Sequence, residues 1–225
     1  MAETTLVYHP SRAHSWRNES RWTFQRIRLD GKTRKLHFFE KMTDSLNIQE
    51  LARLYEQEKA KGNLRPANFR EVLETATLGY NLQATFPEQA EGLRKALQQG
   101  MKRYANTTTV VAYNPKGQKD EVIHNYQTSD PKIIQGDFVG CDGYIDQVKP
   151  LSLLKATLGT RDIAEINNIA QWLNKTPAYL WRVNSKPQER DERVARFDAI
   201  SGRLGFDCGR LPLGQYPAFR VLVEE

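Results

Sequence analysis

Between residues 47 and 104 the chain repeats its apolar side chains with the period of an α-helix in three successive stretches, and the residues on either side are patterned for strands. In the first stretch Asn47, followed three residues later by Glu50, is a capping-box pattern. Ile48, Leu51, Leu54 and Tyr55 then share one face until Gly62 and Asn63. In the second, Pro66 suits a first helical position, and Phe69, Val72, Leu73 and Ala76 recur at i, i+3, i+4 and i+7 until Gly79. The third opens at Pro87 and carries Ala90, Leu93, Leu97, Met101 and Tyr104, with Lys102 and Arg103 placed favourably against the helix dipole. A block of helices enclosed by strands excludes a chain of regular βαβ units and predicts an α+β fold.

The strand patterns are equally specific. Trp22, Phe24, Ile27 and Leu29 run into the turn dipeptide Asp30-Gly31, and Leu36, Phe38 and Phe39 follow, which predicts an N-terminal β-hairpin with a bulge or irregular pairing. The β-branched run from Thr107 leads through Tyr113 to the turn Asn114-Pro115-Lys116-Gly117, and Val122, His124 and Tyr126 alternate on the return, so an antiparallel sheet is expected there. Short apolar pieces punctuated by glycines continue to Pro150 and read as more sheet. Beyond it, residues 151–158, 162–173 and 189–199 are expected to be helical, with a closing strand over 218–223. The division this suggests is an α+β body over 1–149 carrying the basic hairpin, and a C-terminal helical segment with a closing strand over 150–225, within one domain or as a second.

At 225 residues the chain is long enough for one substantial core, and with 39% apolar residues its composition is that of a folded protein. The first residues lack a basic stretch followed by an apolar run, and no segment has about 18 uninterrupted apolar residues, so neither export nor a membrane partner is expected. Two cysteines, Cys141 and Cys208, are too few for a disulfide framework or a zinc ribbon. A soluble protein of the reducing cytoplasm is the expectation.

Charge is distributed unevenly. Residues 1–41 hold nine basic side chains against four acidic ones, whereas the other 184 residues are close to balance within a net charge of +6. In that first segment Trp16, Arg17, Arg21, Trp22, Phe24, Arg26 and Arg28 interleave rings with guanidinium groups. Such a basic sheet can attract phosphates and stack unpaired bases, making Arg17, Arg21, Arg26 and Arg28 candidate phosphate contacts. The alternative is that Trp22, Phe24 and Phe38 are core and the arginines coat a solvated face.

A second pattern lies in residues 166–185. Ala170 is small enough for two helices to approach, Asn174 suits a turn four residues later, and Ile169, Leu173, Leu180 and Val183 occupy packing positions. Thr176 and Pro177 would open a second helix. This stretch resembles a helix-turn-helix DNA-binding segment, from which Lys175 and Trp181 depart. The resemblance implies a second helix in a major groove, with Tyr179, Arg182 and Asn184 as readout residues, Arg182 toward guanine and Asn184 toward adenine. Packing alone also produces paired helices with this spacing.

Asp137, Asp142 and Asp146 form a third group among glycines, where carboxylates could hold Mg²⁺ for phosphodiester cleavage, although turn chemistry explains Asp beside Gly more cheaply. Neither cysteine has a histidine at ligand spacing, so no metal site is expected otherwise. Dinucleotide, P-loop, nucleophile-elbow and zincin motifs are absent from the sequence. The reading is therefore a nucleic-acid-binding protein, DNA favoured over RNA, without an enzymatic role or cofactor and with a homodimer as one option. A Mg²⁺-dependent nuclease and a non-catalytic protein-interaction module are the alternatives.

Overall fold

The computed structural model describes residues 4–10, 19–29, 32–62, 64–200 and 202–224. In chain order its elements are β1 (Thr5–His9), β2 (Arg21–Leu29), β3 (Lys32–Phe39), α1 (Ile48–Ala60), β4 (Arg65–Pro66), α2 (Phe69–Leu82), α3 (Pro87–Met101), β5 (Ala105–Tyr113) and β6 (Asp120–His124). There follow β7 (Lys132–Gly136), β8 (Gly143–Tyr144), α4 (Ser152–Leu158), α5 (Ile163–Asn174), β9 (Ala178–Trp181), β10 (Asp191–Ile200), β11 (Arg203–Arg210) and β12 (Arg220–Glu224). Mixed helices and sheets make this an α+β protein.

Among the described residues the strands form two sheets, one in the order β1-β2-β3-β12-β4 and one in the order β7-β6-β5-β10-β11-β9-β8. The first is built on the N-terminal hairpin, in which Trp22 pairs with Phe38 and Phe24 with Leu36. Its register shifts between Phe24 and Ile27, the irregularity that the alternation demands. Trp22, Phe24 and Phe38 are 3%, 0% and 0% exposed, so these rings are core. The turn Asp30-Gly31 lies outside the described residues. The 150–225 region supplies β12 to this sheet and β9, β10 and β11 to the other, so both sheets cross the boundary at residue 150.

Helix starts follow local chemistry. Asn47 and Glu50 cap α1 reciprocally, and Asn68 and Glu71 do the same for α2, so Pro66 falls in β4 ahead of that helix instead of opening it. The apolar stripes then meet in one layer, where α2 packs against α3, α4 and α5. Close approach depends on Gly79, because a Cβ there would stand 2.7 Å from Leu93 Cδ2 and 2.9 Å from Trp172 Cη2. Against the large sheet, Phe69 of α2 stacks on Phe197 with ring centroids 4.0 Å apart.

Two expected helices are strands. Residues 191–200 form β10, which lies between β5 and β11. A central strand buried on both faces need not alternate, and here Val194-Ala195, Phe197 and Ala199-Ile200, broken by the buried Arg196 and Asp198, give no clean period of two. The second is the latter half of the helix-turn-helix resemblance. The first helix exists as α5 and ends at Lys175, whose φ of 59° is left-handed. The chain then becomes β9, parallel to β11 and antiparallel to β8, with Ala178 and Leu180 inside and Tyr179 and Trp181 facing out. Pairing with β8 and β11 satisfies this backbone, and no recognition helix forms.

Candidate nucleic-acid interface

In the large sheet β7 and β9 are five strand positions apart, about 24 Å if the sheet were flat. Yet Gly140, beyond β7, donates its N–H to the carbonyl of Val183, beyond β9, at 3.0 Å, so the sheet curls until these two ends meet. Arg182 occupies the junction. Its Nε donates to Cys141 O at 3.2 Å, Nη1 to Phe138 O at 3.5 Å and Pro150 O at 3.2 Å, and Nη2 to Lys149 O at 2.6 Å. Its backbone N–H donates to Asp142 Oδ1 at 2.7 Å. Burial lowers the guanidinium's pKa, and these carbonyl dipoles take the place of water around the charge. At 4% exposure Arg182 cannot read a base; it anchors the segment 137–150.

That segment forms one wall of a groove of about 1060 Å³, which runs between Ile134 and Gln135 of β7, residues of α4 and the start of α2. Among the described residues its cations are Arg70, Lys149, Lys155 and Arg161, and no aspartate or glutamate lines it. Arg70 donates to Glu74 Oε1 at 2.8 Å. Lys149, Lys155 and Arg161 are exposed, and their side-chain nitrogens make no hydrogen bond or ion pair among the described residues. Cations left without protein carboxylates in a concave wall present a positive potential to an anion.

Arg70 and Ile134 also belong to a narrower cleft of about 280 Å³ that Arg34, Arg65, Lys132, Glu71 and Asp130 help to line. Arg34 comes from the N-terminal hairpin, which thus stands beside the groove. In this cleft Arg65 grips Glu71 through two hydrogen bonds, at 2.9 and 2.5 Å, while its guanidinium lies 4.9 Å from the Tyr55 ring centre. Burial alone would raise the Glu71 carboxyl; the Arg65 charge reverses that and holds it below its ordinary value. Burial pushes the Tyr55 hydroxyl up to about 12, and it donates to Asp130 Oδ2 at 3.4 Å.

His124 forms the floor of the cleft. Its Nε2 lies 3.0 Å from Ala156 O, an acceptor only, so Nε2 carries the proton and Nδ1 accepts from Thr109 Oγ1 at 2.9 Å. Burial lowers its pKa to about 4. The unfolded chain protonates this ring near pH 6.5, so the stability tied to the neutral ring is present above pH 6.5 and is lost as pH falls toward 4. We expect this to reach about 3 kcal/mol. Denaturant titrations at neutral and mildly acid pH check it, since His124→Asn should flatten the dependence; equal stability of the wild-type protein at both pH values would contradict it.

The other expected site residues separate. Arg17 and the side chains of Arg26 and Arg28 lie outside the described residues, while Arg21 donates from Nη1 to Glu19 O at 3.4 Å. Asn184 is exposed in the loop after β9. Asp137 pairs with Lys119 at 2.6 Å, Asp142 caps the Arg182 backbone, and Asp146 is exposed, so the trio does not converge. Among the described residues no three histidine, cysteine or acidic side chains gather as metal ligands. Cys141 is exposed, and Cys208 is buried with its thiol pKa pushed up. Tyr179 joins Tyr144 and Trp181 on the outer face of the sheet.

The groove had a signal in the sequence: Lys149 to Arg161 contains three cations and no carboxylate. Arg70, 79 residues before Lys149, joins them only through tertiary packing. No helix of the described residues is long and apolar enough to cross a membrane. No protein-family model, curated protein or solved structure matches the chain.

Proposed function

We propose that this protein binds a nucleic-acid strand, DNA or RNA, along the groove of Arg70, Lys149, Lys155 and Arg161. The observation that carries this reading is that, among the described residues, a groove of about 1060 Å³ has four cations in its wall and no carboxylate, and only Arg70 of the four is paired with a carboxylate, that of Glu74. A surface lysine or arginine normally has acidic neighbours, and the total surplus of six charges is too small to make every face basic. A long polyanion satisfies such a groove because each phosphate it neutralises releases condensed counterions. Arg34 and Lys132, in the adjoining cleft, would extend the contact toward the N-terminal hairpin.

The test is fluorescence anisotropy with labelled single- and double-stranded oligonucleotides over a range of salt. If four phosphates are neutralised on a single strand, log K falls with log salt at a slope of about −3, a loss of roughly 50-fold between about 50 and 200 mM. The triple variant Lys149→Glu, Lys155→Glu, Arg161→Glu should bring the slope close to −1 with little change in stability, because these side chains are exposed and unpaired among the described residues. Failure of both oligonucleotides to bind at low salt overturns the reading.

A further inference from the structure

The large sheet carries an aromatic cluster on its outer face that the groove leaves unexplained. Tyr144 of β8 and Tyr179 of β9 are directly paired in register, and their rings meet edge to face at 5.2 Å. Trp181, two residues along β9 and so on the same face, has its ring 4.7 Å from that of Tyr179. Arg203 of β11 lies over both, 4.9 Å from the Tyr179 centroid and 4.7 Å from that of Trp181. Its Nε is buried without a hydrogen-bond partner, and no carboxylate pairs with it among the described residues. The tyrosine hydroxyls and the indole N–H likewise have no protein partner there.

Core aromatics of this protein are covered: Phe69, Phe197 and Phe206 are at most 1% exposed. Tyr144 is 36% exposed, and Tyr179 and Trp181 are partly open. Rings held at a sheet surface by a cation, with polar tips free, offer flat faces and donors to a planar partner. The segment 137–150 ties this cluster to the groove, since it carries Tyr144 to the one and Lys149 to the other, and Arg182, next to Trp181, fixes it.

We infer that Tyr144, Tyr179, Trp181 and Arg203 stack unpaired bases of the strand whose phosphates occupy the groove, which makes the ligand single-stranded. Duplex bases are already stacked on one another and leave no ring face for this surface; unpaired bases do, whatever their identity. The inference rests on the proposed function, and the experiment separates the two.

Three labelled ligands of equal length are titrated: a single strand, the same strand with abasic sugars, and a duplex. The wild-type protein should bind the base-bearing strand about tenfold more tightly than the abasic one. Trp181→Ala should bring the two to parity while leaving the abasic affinity unchanged, and Tyr144→Ala, at a more exposed ring, should narrow the gap without a folding burden. Lys155→Glu with Arg161→Glu should weaken both strands alike. Equal affinity of the wild-type protein for base-bearing and abasic strands, or a preference for duplex, overturns the stacking surface and leaves the groove reading standing; binding of none of the three overturns both.

Discussion

Arg182→Met is expected to destabilise the fold by about 3 kcal/mol, because buried carbonyls that lose a charged donor each carry a desolvation penalty of about 1–3 kcal/mol, partly relieved by relaxation. The acceptors are the carbonyls of Phe138, Cys141, Lys149 and Pro150, all from the segment that closes the sheet against β9. Methionine fills much of the volume without the donors. Gly140→Ala reaches the same point from the other side, since its Cβ would stand 2.5 Å from Arg182 Nη2 and 2.6 Å from Cζ, and the guanidinium is held too firmly to step aside. Urea unfolding measures the loss, and hydrogen exchange should show increased opening over 138–150. A variant within about 0.5 kcal/mol of wild type would show that Arg182 is not the anchor. Both changes should also weaken nucleic-acid binding, since Lys149 and Tyr144 ride on this segment.

How much of this was readable beforehand depended on whether local pattern and tertiary setting agreed. Asn47 and Glu50 announce α1 because a cap is a contact between residues three apart. The hairpin of β2 and β3 is legible because Trp22 and Phe24, and Leu36 and Phe38 opposite them, recur with a period of two on one face. Residues 191–200 misled because burial on both faces erased the alternation, and even Arg196 and Asp198 are buried there, at 3% and 4% exposure. The four residues of β9 are too few to fix a period, and β11, which decides their conformation, lies more than twenty residues downstream.

The candidate site divides in the same way. Net charge located the surplus in the first 41 residues, but among the described residues Arg34 alone of those cations lines the cleft beside the groove. The groove arises from a region with almost no net surplus, because nearby acids are spent in pairs: Asp137 on Lys119 and Glu71 on Arg65 away from the groove, and Glu74 on Arg70 at its edge. A sum over sequence cannot detect such sorting, since it counts charges without their partners. The helix-turn-helix resemblance implies Tyr179 as a readout residue on a helix; as part of a strand it points outward with Trp181, the period of two that sets both rings on one face.

Arg65→Met should cost about 3–5 kcal/mol, the usual penalty for leaving a buried charge without its partner. The Arg65 and Glu71 side chains are 16% and 14% exposed, and each Glu71 oxygen takes one guanidinium N–H. Glu71 Oε2 also accepts the Asn68 N–H at 2.9 Å, so the carboxylate that balances Arg65 is the one that caps α2. Removing Arg65 leaves this carboxylate facing the cleft with its desolvation cost uncompensated, and Glu71 then protonates more readily, so the variant should lose less stability at acid pH than at neutral pH. Removing both charges, as Arg65→Met with Glu71→Met, should recover most of the loss and leave chiefly the missing cap, about 1 kcal/mol. A double-mutant cycle by urea unfolding reads the coupling directly. Strictly additive single-variant losses would show that the pair does not interact, and the cleft would then owe its shape to packing alone.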